Sequence, residues 1–202
     1  MIGRLKGTIV EKAPPELLID VNGVGYEVQA PMTTIFNLPD VGHTVTLFTH
    51  LSVSENAQNL YAFGSKKDRQ MFRELIKVSG VGPKLGIAIL SGMTADEFVA
   101  NVNEGESSAL VKLPGVGKKT ADRLIIEMRD RLKGWSSAAV SVGANNQSTG
   151  TGSSHSLKQE AESALIALGY KPQDAAKAIS RIKDDVTSSG ELIRLALKNM
   201  GK

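Results

Sequence analysis

Two short stretches of this 202-residue chain carry residue types suited to holding a phosphate. The first reads Leu75-Ile-Lys-Val-Ser-Gly80-Val81-Gly82-Pro83-Lys84, and the second, 35 residues later, reads Leu110-Val-Lys-Leu-Pro-Gly115-Val116-Gly117-Lys118-Lys119. In each, an apolar helix end leads into a Gly-Val-Gly turn and then a helix that starts with lysine. Glycine admits positive φ and lets the main chain approach a ligand with no Cβ in the way. Such a turn delivers backbone N–H groups at a helix N-terminus, where the partial positive charge favours an anion. Lys84, Lys118 and Lys119 add charge beside the same anion, and Val81 and Val116 are expected to plug inward and pin the helices together. The candidate phosphate-contacting set is therefore Ser79, Gly80, Val81, Gly82, Lys84, Gly115, Val116, Gly117, Lys118, Lys119 and Arg123. Contacts of this kind position a nucleic acid without reading its bases. A single Gly-Val-Gly is an ordinary tight turn; two in-phase copies with lysine at the same offset point to a paired grip.

Other chemistries fit poorly. Gly117-Lys118-Lys119-Thr120 looks superficially like a nucleotide-binding loop. It lacks a glycine five residues before Gly117, Lys119 displaces the Ser/Thr, and no buried strand precedes it. His43, His50 and His155 are scattered, and the absence of cysteine excludes disulfides and thiolate metal sites. No cofactor is expected, and no catalytic constellation stands out. Asp122, one turn from Lys118 and Lys119, is expected to form a surface ion pair. Arg123 either touches phosphate or solvates a helix face.

The elements that must position these turns follow from periodicity. Residues 1–64 read as five short strands, with Asn22-Gly23 a strong hairpin signal and two later strands covering Thr44–Ser54 and Gln58–Phe63. An OB-like barrel is expected, with Tyr26, Phe36 and Phe48 in its core. Residues 65–134 switch to helical spacing, with Met71, Phe72, Leu75 and Ile76 on one face and Thr94-x-x-Glu97 as a capping box. From Gly134 to Leu157 there is no Lys, Arg, Asp or Glu, so 135–156 reads as a flexible linker. Residues 157–202 are expected to form three short helices, with Gly169 ending the first and Pro172 starting the second. The fold class is multidomain α+β.

Charge follows the same division. Residues 1–64 carry three basic and six acidic side chains, while 65–134 carry 13 basic and nine acidic. The basic excess thus sits with the paired turns, where a polyanion would bind. The acidic barrel argues against a single-strand-binding groove. No run is long and apolar enough for a membrane span and no signal-peptide core follows Met1, so a cytoplasmic protein without a membrane partner is expected.

The paired turns match the helix-hairpin-helix family, and a wider set of segments closely resembles the bacterial RuvA family. These are Met1-Ile-Gly-Arg-Leu-Lys-Gly7, Gly23-Val-Gly-Tyr-Glu-Val28, Phe48-Thr-His50, Glu74-Leu-Ile-Lys77, Gly80-Val-Gly-Pro-Lys84, Ile89-Leu-Ser-Gly-Met93, Leu113-Pro-Gly-Val-Gly-Lys-Lys119 and Ala167-Leu-Gly-Tyr-Lys-Pro172. The resemblance implies an OB-fold barrel at 1–64, a tandem helix-hairpin-helix domain at 65–134, and a UBA-like three-helix domain at 157–202. It implies a non-catalytic subunit that binds four-way (Holliday) DNA junctions as a homotetramer, with one or two tetramers per junction. The implied protein partners are the hexameric RuvB motor, docked by the tail domain, and the RuvC resolvase. The alternative from another class is a helix-hairpin-helix repair nuclease or glycosylase. The family's acidic pin falls here on Ser54-Glu55-Asn56-Ala57, where Glu55 is charged but Asn56 stands in place of a second carboxylate. In the tail, Leu168, Gly169, Tyr170, Ile179 and Leu195 are the candidates for docking the motor.

Overall fold

Alternation of apolar and polar side chains sets up the N-terminal sheet. In β1 (Arg4–Ala13), Leu5 and Ile9 point inward; in β2 (Glu16–Val21), Leu17 and Ile19 do; in β3 (Val24–Gln29), Val28 does. With β4 (Thr44–Ser54) and β5 (Ala57–Phe63), these strands form a closed barrel in the order β1-β2-β3-β5-β4. Neighbours are antiparallel except β3 and β5, which meet in parallel at Gln29 and Tyr61. β1 serves two partners, since Thr8 pairs with both Asp20 and Thr44, and a register shift between Ile9 and Glu11 bends it from one to the other. Asn22 and Gly23, with φ of 54° and 86°, make the expected two-residue turn between β2 and β3. This computed structural model describes residues 1–133, 135, 154–182, 186 and 188–200.

Between β3 and β4 lies α1 (Met32–Phe36), which sequence periodicity did not reveal. It is five residues long and holds three β-branched side chains, so its local propensity is poor. Distant partners hold it in place. Thr33 Oγ1 donates to the Leu90 carbonyl at 2.6 Å, and the Met32 N–H donates to Ser91 Oγ at 3.0 Å. Ile35 then faces the barrel core while Phe36 is 76% exposed, which corrects the expectation that Phe36 is core. Phe48 also departs from that expectation. It is only half-buried, lies outside the barrel core, and sits under the cations of Lys66 and Arg69, 5.9 and 5.7 Å from its ring centre. Tyr26 alone of the three packs against the barrel core.

The helical segment comprises α2 (Lys66–Leu75), α3 (Pro83–Gly92), α4 (Ala95–Glu104), α5 (Ser107–Val111) and α6 (Lys118–Arg131). Its core includes Met71, Phe72, Leu75, Phe98, Val102, Leu124 and Met128, and also Tyr61 and Phe63 from β5. Phe72 is the hub: its ring lies 5.1 Å from Tyr61, 5.0 Å from Phe63 and 5.5 Å from His50. Barrel and helices therefore share packing across the 64/65 boundary, and residues 1–143 form one compact unit.

The second unit, 144–202, contains α7 (Ser154–Ala167), α8 (Pro172–Ser180) and α9 (Ser189–Met200). Ala161, Leu165, Ala175, Ile179, Leu192 and Ala196 close its core. Gly169, at φ 98°, ends α7 as expected, and the Tyr170 N–H donates back to the Leu165 carbonyl at 3.2 Å. The expected linker is shorter than read at both ends: Trp135 is buried in the helical core, and helix begins at Ser154. The rest of the segment expected to be a linker, 136–153, lies outside the described residues.

Candidate nucleic-acid interface

The two Gly-Val-Gly turns are built alike. Gly80 and Gly115 adopt φ of 85° and 81°, a region that costs other L-residues about 1–2 kcal/mol. The Val81 N–H donates to the Val78 carbonyl at 3.0 Å, and the Val116 N–H donates to the Leu113 carbonyl at 3.1 Å. Both valines are 4% exposed and lock their turns into the helical core, as their pattern predicts. Gly82 and Gly117 then act as N-caps in extended conformation, at φ −84° and −81°. From there the first helical bonds run from Gly86 N–H to the Gly82 carbonyl, 3.0 Å, and from Ala121 N–H to the Gly117 carbonyl, 2.9 Å.

The N-termini of α3 and α6 differ from those of α2 and α4. At α2, Ser65 Oγ accepts from the Asp68 N–H, and Asp68 sits in the first turn. At α4, Thr94 and Glu97 close a capping box, and the hydrogen bonds from Thr94 hold the Glu97 carboxyl below its ordinary pKa. At α3 and α6 no side chain caps the helix and no acidic residue lies in the first turn. These two helix ends thus keep their unsatisfied N–H groups and their positive field open to solvent. Among the described residues, Lys84, Lys118 and Lys119 are exposed and join no ion pair.

Gly82 and Gly117 are informative for another reason. Their φ values suit any residue, and a Cβ built on either meets nothing within 4 Å. Neither backbone strain nor internal packing requires glycine there. A glycine there leaves the main chain open to close approach from outside.

Two contacts bring the turns together. Arg123 on α6 donates from Nη1 to the Ser79 carbonyl at 3.2 Å and reaches Ser79 Oγ at 3.4 Å. In the opposite direction, the Leu85 side chain of α3 lies 3.4 Å from where a Cβ on Gly115 would stand. Nothing in the spacing of the motifs signalled the Arg123–Ser79 contact. The expected ion pair of Asp122 with Lys118 or Lys119 is not formed. Within this surface it is Arg123 that pairs, with Glu127 at 3.6 Å, while Asp122, Lys118 and Lys119 are all exposed.

The remaining candidates lie elsewhere. Glu55 and Asn56 form the tip of the β4–β5 hairpin, where Ser54 pairs with Ala57 and every residue from Val53 to Asn59 is exposed. In the second unit, Leu168 and Tyr170 are 62% and 38% exposed, and Gly169 lies between them. Ile179 is 4% exposed and belongs to the three-helix core, which removes it from any docking face. Leu195 is partly buried against that same core.

Comparison with known proteins accounts for all of these parts. Residues 1–62 match the family described as RuvA N terminal domain, 72–130 match the SAM-like helix-hairpin-helix tandem, and 156–201 match the RuvA C-terminal domain. The chain is 57% identical to the Holliday junction branch migration complex subunit RuvA of Vibrio vulnificus, over 99% of this chain and 100% of that protein. It is 55% identical to the protein of the same description from Pseudomonas savastanoi, over the full length of both. Barrel, paired hairpins and tail thus match in one order along one chain, and this chain belongs to the RuvA family.

Proposed function

We propose that this chain binds four-way DNA junctions by their shape, holds them open as a homotetramer, and recruits the RuvB motor for branch migration. The observation that carries the DNA-binding part is the pair of uncapped helix N-termini, Gly82 beside Lys84 and Gly117 beside Lys118 and Lys119, lysines that join no ion pair among the described residues. Backbone N–H groups and lysines contact phosphate and leave the bases unread, which suits a ligand defined by geometry. The residues in this role are Ser79, Gly80, Gly82, Lys84, Gly115, Gly117, Lys118 and Lys119, while Val81 and Val116, with N–H groups bonded inside the turns and side chains buried, hold the turns in shape. The barrel supplies the Glu55-Asn56 tip at the junction centre, and the tail unit offers Leu168 and Tyr170 to the motor. ATP hydrolysis belongs to the motor, and this chain contributes no ATPase site. The RuvC resolvase is a further partner, and the setting is the cytoplasm. The relatives' description as subunits of a Holliday junction branch migration complex supports this reading.

The test is a titration of four-way junction, duplex and single strand of matched sequence with wild type and Lys119→Ala. Wild type is expected to prefer the junction. Lys119→Ala is expected to weaken all binding and to lower the salt slope by about 1 per subunit, which is about 4 for a tetramer. Equal affinity for junction and duplex overturns the assignment.

A further inference from the structure

We infer that Arg123 is a positioning residue that sets the spacing between the two phosphate-binding turns and is not itself a phosphate ligand. The inference rests on the proposed DNA-binding reading and adds a division of labour within it.

Two of the three guanidinium nitrogens of Arg123 already face partners. Nη1 is shared between the Ser79 carbonyl and hydroxyl, at 3.2 and 3.4 Å, and Nε faces Glu127 at 3.6 Å. A guanidinium is a rigid planar fork, so a second partner on one edge fixes the direction of the other. Glu127 also offsets its charge, whereas Lys84, Lys118 and Lys119 have no such counter-ion among the described residues.

The contact spans the two halves of the repeat. α6 packs on α2, α4 and α5, and Arg123 is the side chain by which it reaches the turn that precedes α3. The guanidinium lies 4.0 Å from where a Cβ on Gly80 would stand, and Leu85 lies in the reciprocal place beside Gly115. Each left-handed glycine is therefore backed by a side chain from the other hairpin. The polar strut exists only once. Thirty-five residues before Arg123 stands Ala88, and 35 after Ser79 stands Pro114, so the repeat cannot form the reverse contact. Two turns held at a fixed distance grip two phosphates without first losing the freedom to move against each other, which is the gain from preorganisation.

The test compares the full chain carrying Arg123→Met with wild type in two measurements. Without DNA, amide exchange at Val81 reports the turn, because that N–H donates to the Val78 carbonyl. With a four-way junction, affinity is followed across a salt series. The expected result is faster Val81 exchange, a several-fold loss of junction affinity, and a salt slope equal to wild type. A slope lower by about 1 per subunit with unchanged Val81 exchange makes Arg123 a phosphate ligand and overturns the inference. Unchanged affinity and exchange overturn it as well. Arg123 is exposed, so the fold should survive. Glu127→Gln provides a second check, since its amide oxygen can still orient the guanidinium while the counter-charge is gone, and Val81 exchange should stay as in wild type. If wild type itself shows no junction preference, the proposed function fails, and the DNA-free exchange still decides whether Arg123 holds the turn.

Discussion

Gly7 and Asp20 meet so closely at the crossing of β1 and β2 that a Cβ on Gly7 would lie 2.1 Å from the Asp20 carbonyl oxygen. The obstacle is backbone, which cannot rotate away as a side chain can. The crossing lies where β1 changes partner, with Gly7 paired to Val45 and Thr8 paired to both Asp20 and Thr44. Barrel closure thus depends on a residue without a side chain at this point.

Gly7→Ala is expected to destabilise the barrel by about 3 kcal/mol or more, above the usual range of about 1–3 for overpacking, because main chain must move. Gly3→Ala is the control, since its Cβ would meet only the end of the Arg69 side chain at 3.9 Å. Thermal or denaturant unfolding of the two variants checks this. Equal stability would remove the closure argument.

The four turn glycines should separate stability from binding. Gly82→Ala and Gly117→Ala are expected to leave the melting temperature unchanged and to weaken junction binding at least about tenfold, equivalent to about 1.4 kcal/mol. Gly115→Ala is expected to cost about 1–2 kcal/mol of folding stability, because φ is 81° there. If Gly117→Ala binds junctions like wild type, close main-chain approach to phosphate is not used.

His50 should make the unit acid-sensitive. Burial first, and then the charges of Arg73 and Arg69, hold its pKa below the ordinary 6.5. Its Nδ1 accepts from Arg73 Nε at 3.3 Å, and its ring stands edge-on to Phe72. The unfolded chain therefore takes up a proton near pH 6.5 while the folded chain does not. The His50 contribution is fully present above that pH and is lost as pH falls through the lower folded value. Melting temperature is expected to fall between pH 7.5 and 5.5, with a smaller fall in His50→Gln. Parallel pH profiles would show that other groups set the acid limit.

The barrel tip carries one carboxylate per chain, at Glu55. Asn56→Asp doubles the negative charge at the tip. Junction affinity is expected to fall several-fold at low salt, with the difference closing as screening rises. Motor-driven strand separation is expected to rise. If neither measurement changes, repulsion at this tip plays no part.

Local features were legible in the sequence because each depends on residues a few positions apart. The alternation in β1 to β3, the Asn22-Gly23 turn, the Thr94–Glu97 box, the Gly169 and Pro172 punctuation and the repeated Gly-Val-Gly turns all stand where periodicity and turn chemistry place them. The inward valines at 81 and 116 were legible for the same reason. Features set by distant partners were not. Residues 57 positions apart hold α1 in place, and residues 44 apart join the two hairpins through Arg123 and Ser79. Phe36 points outward because Ile35 takes the inner place, and Phe48 packs under the cations of α2. Local pattern was enough to place each Gly-Val-Gly turn before a helix with lysine in its first turn. That the two turns are tied to one another emerges from the folded chain alone, because a guanidinium-to-carbonyl contact depends on where the chain returns in space and leaves no trace in local spacing.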